Sequence, residues 1–167
     1  MTAADADPPG SYHSGNDVIH QVGDELAALK LDMWMEPGTR IPALHAHPEQ
    51  REHFRVISGA FHVQVDRTIR QLQAGESITI EPGVRHGVGN TGEAAAVVYT
   101  EITPGLRTQE FFERLRLLEE QRLDTISMTL KYGHLVSQFR REYEYSPPVT
   151  LLFRIFSLTG RIFARPE

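Results

Sequence analysis

The residues able to do chemistry here cluster in two short stretches. "PALHAHPEQREHFRVISGAF", residues 42–61, carries His45, His47 and Glu52, and "GESITIEPGVRHGVGN", residues 75–90, carries His86. In a strand, residues i and i+2 project from one face, so His45 and His47 can direct both imidazoles at a single point while Ala46 points away. Glu52 opens the next strand with the parity of Phe54 and Val56, so its carboxylate faces the interior those side chains fill. A carboxylate facing an apolar interior is costly unless paired, and a divalent cation is a natural partner. His86 follows a Pro-Gly turn, at the start of another strand. Three imidazoles and one carboxylate suit one divalent transition metal, Fe(II), Mn(II), Ni(II), Cu(II) or Zn(II). They do not suit Ca or Mg, which take oxygen shells. The chain has no cysteine, so thiolate ligands and disulfides are excluded.

Such a site needs strands to hold it. Residues 17–104 alternate short apolar runs with Gly, Pro and charged turns, the pattern of an antiparallel β-domain. In "LKLDMWME" Leu29, Leu31, Met33 and Met35 share one face, leaving Trp34 on the other. Further strands are predicted at 52–57, 61–65, 68–72, 77–80 and 95–103, with turns at Asp66-Arg67, Gly75-Glu76, Pro82-Gly83 and Asn90–Gly92. After Pro104 and Gly105 the period becomes about 3.6 residues: Thr108 is a candidate N-cap, with Phe111, Leu115 and Leu118 on one face. A second helix is predicted from near Asp124 to Tyr143. A third apolar segment, 149–163, is interrupted by Arg154 and Arg161 and is too short to span a bilayer. It is expected to pack on the sheet or in a dimer interface. Residues 1–16 are expected to be a flexible lead, 17–104 the β-domain and 105–167 a helical extension of two to three helices.

Composition narrows the partners. The 167 residues are 40% apolar, enough to bury one core, and the net charge of −5 lacks the clustered Lys and Arg that phosphate contact requires. Nucleic acid is therefore excluded as a partner. The N-terminus has neither a basic nor an apolar leader region, so a cytoplasmic protein is expected. The other histidines, His13, His20, His53, His62 and His134, read as ordinary surface or core residues. His53 and His62 have the opposite parity to the inward apolar positions beside them.

The two stretches resemble the motifs of the cupin superfamily. The first motif, Gly, five residues, HxH, three or four residues, Glu, six residues, Gly, is matched by Gly38, His45, His47, Glu52 and Gly59, with one extra residue before the first histidine. The second, Gly, five residues, PxG, two residues, His, three residues, Asn, is matched by Gly75, Gly83, His86 and Asn90, with Glu81 in the place of the motif's proline. Both departures fall in turns. The resemblance covers residues 17–104 and implies a mainly β protein, a double-stranded β-helix (jelly-roll) barrel with a metal inside.

By strand parity the remaining wall would be Leu31, Met33, Met35, Phe54, Val56, Phe61 and Val63, with Tyr99 as a further candidate. That lining favours a hydrophobic or aromatic small molecule, and Arg40 and Arg85 are the nearest cations for an anionic group. Three functions follow. The first is an oxygenase, with Glu52 as ligand or base. The second is a non-redox cyclase or isomerase, in which Tyr99 or a carboxylate moves the proton. The third is a module that binds a ligand or metal without turnover. A homodimer is expected, because sheet edges and the apolar tail offer surface that a monomer would leave open.

Overall fold

The computed structural model describes residues 11–14, 17–21, 28–39 and 44–145. In chain order these form β1 (Ser11–Ser14), β2 (Asp17–Gln21), β3 (Leu29–Met35), β4 (His45–Ala46), β5 (Arg51–Ser58), β6 (Ala60–Val65), β7 (Thr68–Gln73), β8 (Ser77–Ile80), β9 (His86–Gly89), β10 (Ala96–Thr103), α1 (Thr108–Glu119), α2 (Thr125–Ser137) and β11 (Glu144–Tyr145). One sheet has the order β1-β2-β3-β10-β5-β8 and the other β11-β4-β9-β6-β7. The strand pairings within them, among the described residues, are antiparallel. Strand β1 pairs with β2, so the sheet begins at Ser11 and not at the Asp17 boundary the sequence suggests. Arg40 and the apolar segment 149–163 lie outside the described residues.

The alternation expected from sequence places the core between the sheets. Met35, Phe54, Val56, Phe61, Val63, Leu72, Ile80, Ala96 and Val98 form one buried cluster drawn from both sheets, with Met33 packed against it. Trp34 faces outward, 48% exposed. The chain crosses from β5 in one sheet to β6 in the other at Gly59, where φ is +75°, and a Cβ there would run into the Ala95 carbonyl and lie 2.8 Å from Ala96 Cα. Only glycine fits both the conformation and the space.

The extension has its own small core. Phe111, Leu115 and Leu118 of α1 meet Leu135 and Val136 of α2, with Phe139 and Tyr143 beyond. Phe112 packs on Leu29, Leu31 and Ile102 and so joins α1 to the sheet. Thr108 is the first helical residue and not the N-cap, which is Arg107. The Thr108 hydroxyl is buried and accepts a hydrogen bond from Gln50 Nε2 at 2.8 Å. The second helix starts as predicted, Asp124 capping the amides of Ile126 and Ser127, but stops at Ser137 and not at Tyr143. The chain then turns and returns to the barrel, where β11 pairs with β4.

Candidate metal centre

Strand pairing sets the geometry of the histidines. His45 of β4 lies opposite His86 of β9, and Tyr145 of β11 lies opposite His45 on the other side. The Gly83 amide in the turn before β9 donates to the His47 carbonyl at 2.9 Å, which ties the two motif stretches together. Buried Asn90 donates to the carbonyls of Met35 and Ala94 and accepts from the Gly92 amide. It is therefore a clip that fixes the loop after β9. The ligand atoms of His45, His47 and His86 all lie within 4.8 Å of one another. The Glu52 carboxylate reaches the same point, with Oε2 2.6 Å from His86 Nε2 and 3.3 Å from His47 Nε2.

Backbone carbonyls fix the tautomers. His47 Nδ1 lies 2.6 Å from the Glu142 carbonyl and His86 Nδ1 lies 3.0 Å from the Val84 carbonyl. A carbonyl can only accept, so each Nδ1 carries a proton, and in the neutral ring the lone pair sits on Nε2. The His47 lone pair then faces the carboxylate oxygen to which His86 Nε2 is hydrogen-bonded. Nε2 of His47 is buried without a hydrogen-bond partner. Converging lone pairs beside a buried carboxylate repel one another unless a proton or a cation stands between them. The donor set, three imidazole nitrogens and a carboxylate oxygen, fits a divalent transition metal. The Nδ1–carbonyl bonds are the orienting contacts such ligands use.

Electrostatics agree with that arrangement. Burial pushes the Glu52 carboxyl up, but the attraction of His47, His86 and His45 outweighs it and holds the group at about 2. Burial lowers His47, against the pull of Glu52, so this ring stays neutral and able to ligate. Burial also works against a proton on His86, but the hydrogen bond and charge of Glu52 raise it above the ordinary histidine value.

The structure sorts the other candidates. Phe54, Val56, Phe61 and Met35 are fully packed core residues, Met33 is partly buried beside them, and the Phe54 ring lies 6.4 Å from that of His86. Tyr99 is a correction: Ala96, Val98, Thr100 and Ile102 face inward from β10, which turns Tyr99 to the outer face. There its hydroxyl donates to Glu101 at 3.2 Å and the Arg55 guanidinium lies over its ring. Arg85 is half-buried, 3.6 Å from Glu144.

The tyrosine beside the histidines comes instead from the extension. The Tyr143 ring lies 4.7 Å from His47 and 5.6 Å from His45, and Tyr145 lies 5.9 Å from His45. Burial and the nearby Glu52 charge hold the Tyr143 phenol protonated, well above its ordinary value. Glu142 joins the parts, its carbonyl on His47 and its carboxylate on the Arg107 amide at the start of α1. Gln50 does the same from the barrel side, its amide nitrogen reaching Pro104, Gly105 and Thr108. Sequence reasoning missed all three, although "REYEY" carries the i, i+2 alternation of a strand and Gln50 shares the parity of Glu52.

Two packed antiparallel sheets with three inward histidines define a double-stranded β-helix with a candidate metal centre. Residues 31–102 match the family model of the cupin domain, and the chain carries a cupin domain there. Protein SchB of Streptomyces halstedii is 36% identical over 70 residues, 42% of this chain and 50% of that protein. The chain thus spans about half the length of this curated relative. An RmlC-like cupin from Shewanella frigidimarina aligns with a TM-score of 0.52 at 20% identity, over 65% of this chain and 93% of that one. A double-stranded β-helix protein from Klebsiella pneumoniae aligns with a TM-score of 0.50 at 24% identity, over 56% and 82%. These structural likenesses concern the fold. No described helix is long and apolar enough to cross a membrane.

Proposed function

We propose that this protein is a metal-dependent cupin in which His45, His47, His86 and Glu52 hold one divalent transition metal and act on a hydrophobic or aromatic small molecule in an oxygenase-type reaction. The observation that carries this reading is the buried, partnerless Nε2 of His47, held opposite Glu52 by the Glu142 carbonyl. A bound metal would supply Lewis acidity and, for a redox-active ion, access to dioxygen chemistry. The chain's own groups orient and exclude. The Val84 and Glu142 carbonyls fix two imidazoles, and the Phe54 ring packs beside His86. Glu52 Oε2 stands 2.6 Å from His86 Nε2, a buried carboxylate–imidazole pair within proton-transfer distance. That same carboxylate–imidazole pair favours a second reading, a non-redox cyclase or isomerase in which proton transfer is the chemistry.

Elemental analysis of protein purified without added metal tests the first step. One transition metal per chain, lost in His47→Ala, is the expected result; equal content in the variant would remove the site assignment. Oxygen uptake on adding aromatic enols or catechols then separates the two reactions, since activity that survives replacement of iron by zinc belongs to the second. The proposal includes a homodimer. Trp34 and Ile57, 48% and 45% exposed, stand on the outer face of β3 and β5 on either side of β10. Light scattering at micromolar concentration checks the mass, and a monomer would exclude it.

A further inference from the structure

We propose that Tyr143, delivered by the C-terminal extension, is a specificity-determining residue of the site, and that the guest it selects is an aromatic molecule bearing a metal-ligating oxygen of the catechol or enol type. The inference rests on the metal reading above and deepens it. Tyr143 is wedged between two cores. One side meets Phe111 at 4.3 Å within the helical cluster, and the other meets the rings of His47 and His45 at 4.7 and 5.6 Å. The ring therefore has little freedom to turn. The Tyr143 side chain as a whole is buried, and among the described residues its hydroxyl makes no hydrogen bond.

The neighbouring tyrosine is different, since Tyr145 shares a 2.5 Å hydrogen bond with Tyr132. Of the two phenols beside His45, Tyr143 is the one whose hydroxyl is available to a guest. His45 is also the partly exposed member of the histidine cluster, whereas His47 and His86 are buried. A molecule approaching the metal on the His45 side passes these rings. With its faces against Phe111 and the histidine rings, Tyr143 has an edge left for an aromatic guest. A negatively charged oxygen on it would meet the metal and the Tyr143 O–H together, a charge-assisted hydrogen bond.

The test uses the full chain loaded with Co(II), with 4-nitrocatechol as a chromophoric probe read by visible difference spectra. Tyr143→Phe removes only the hydroxyl, and Tyr143→Met is a second deletion should the first disturb folding. Tyr99→Phe, on the outer face of β10, is the contrast. The expected result is equal Co(II) affinity in wild type and Tyr143→Phe, with nitrocatechol bound about tenfold or more weakly by the variant. Tyr99→Phe should bind it as wild type does. A residue that only fills space would leave the probe affinity unchanged in Tyr143→Phe, and that outcome overturns the assignment while leaving the metal reading standing. Co(II)-loaded wild type that binds no nitrocatechol overturns the guest class and the role together. Failure of wild type to bind Co(II) overturns the metal reading and this inference with it.

Discussion

Metal-linked stability tests the site without knowledge of the substrate, and His47→Ala is the informative perturbation. A ligand present at a hundred times its Kd stabilises the folded protein by about 2.7 kcal/mol. For a chain of 167 residues that is a Tm rise of about 5–11 °C. Removing His47 takes away one of two imidazoles whose Nε2 faces Glu52 Oε2, and also the donor to the Glu142 carbonyl. Loss of an orienting partner alone costs a metal site 10–100-fold in affinity, and loss of a ligand is expected to reach the upper end, about 100-fold. At the same metal concentration the site is then half filled, and the stabilisation drops to about 0.4 kcal/mol, a Tm rise of about 1–2 °C. The variant's metal-free Tm is also lower, because the Glu142 carbonyl is orphaned at a cost of about 1–3 kcal/mol. The quantity to compare is therefore the metal-induced shift and not the absolute midpoint. Differential scanning calorimetry with Zn(II), Ni(II), Co(II) or Mn(II), against chelator, measures it. His53→Ala is the control, since His53 bonds to Thr79 away from the cluster. A shift of equal size in wild type and His47→Ala would refute the site, because the metal would then be binding elsewhere.

Three further outcomes follow from the same contacts. Gln50→Leu removes two amide hydrogens shared among the acceptors of Pro104, Gly105 and Thr108, and should destabilise by about 2–4 kcal/mol in urea titration; a loss below the error of the extrapolation would show that the clip is weak. In metal-free protein the depressed carboxyl of Glu52 contributes stability that is fully present above its ordinary 4.5 and is lost as pH falls through about 2. The interval corresponds to about 3 kcal/mol, so Glu52→Gln should show a shallower acid limb, and an unchanged limb would count against the pairing. Tyr99→Phe should leave both the metal-induced Tm shift and any turnover at wild-type values, since its hydroxyl is bound to Glu101 on the outer face; a selective loss of turnover would bring Tyr99 back.

The barrel and its histidines were legible because strand geometry is short-range. His45 and His47 share a face by parity, and Glu52 follows the parity of Phe54 and Val56. His86 follows a turn whose Gly83 has φ of +78°. Tyr99 was not legible for the same local reason. "AAVVYTEIT" contains two interleaved sets, and the inward one includes polar Thr100 while the outward one includes apolar-looking Val97 and Tyr99. Composition cannot choose between them, and the choice is made by pairing with β3 and β5, including an irregularity between Val97 and Val98. The end of α2 misled in another way. Leu135, Phe139 and Tyr143 continue an i, i+4 series past the helix, and all three are buried in one cluster. The period is satisfied by packing on α1, yet the chain leaves the helix after Ser137.

What draws it out is the barrel. Glu144 and Tyr145 pair with Ala46 and His45, and the Glu142 carbonyl accepts a hydrogen bond from His47 Nδ1. In a continued helix that carbonyl would belong to the helical ladder or its cap, and the His47 ring would lose the bond that fixes its tautomer. The extension and the histidine cluster are therefore in direct contact. Loosening α1 against α2 should release Glu142 and Tyr143, and changing the occupancy of the histidine cluster should alter how firmly β11 is held. A reading of residues 31–102 alone would supply the three histidines but leave out Glu142 and Tyr143, which contact His47.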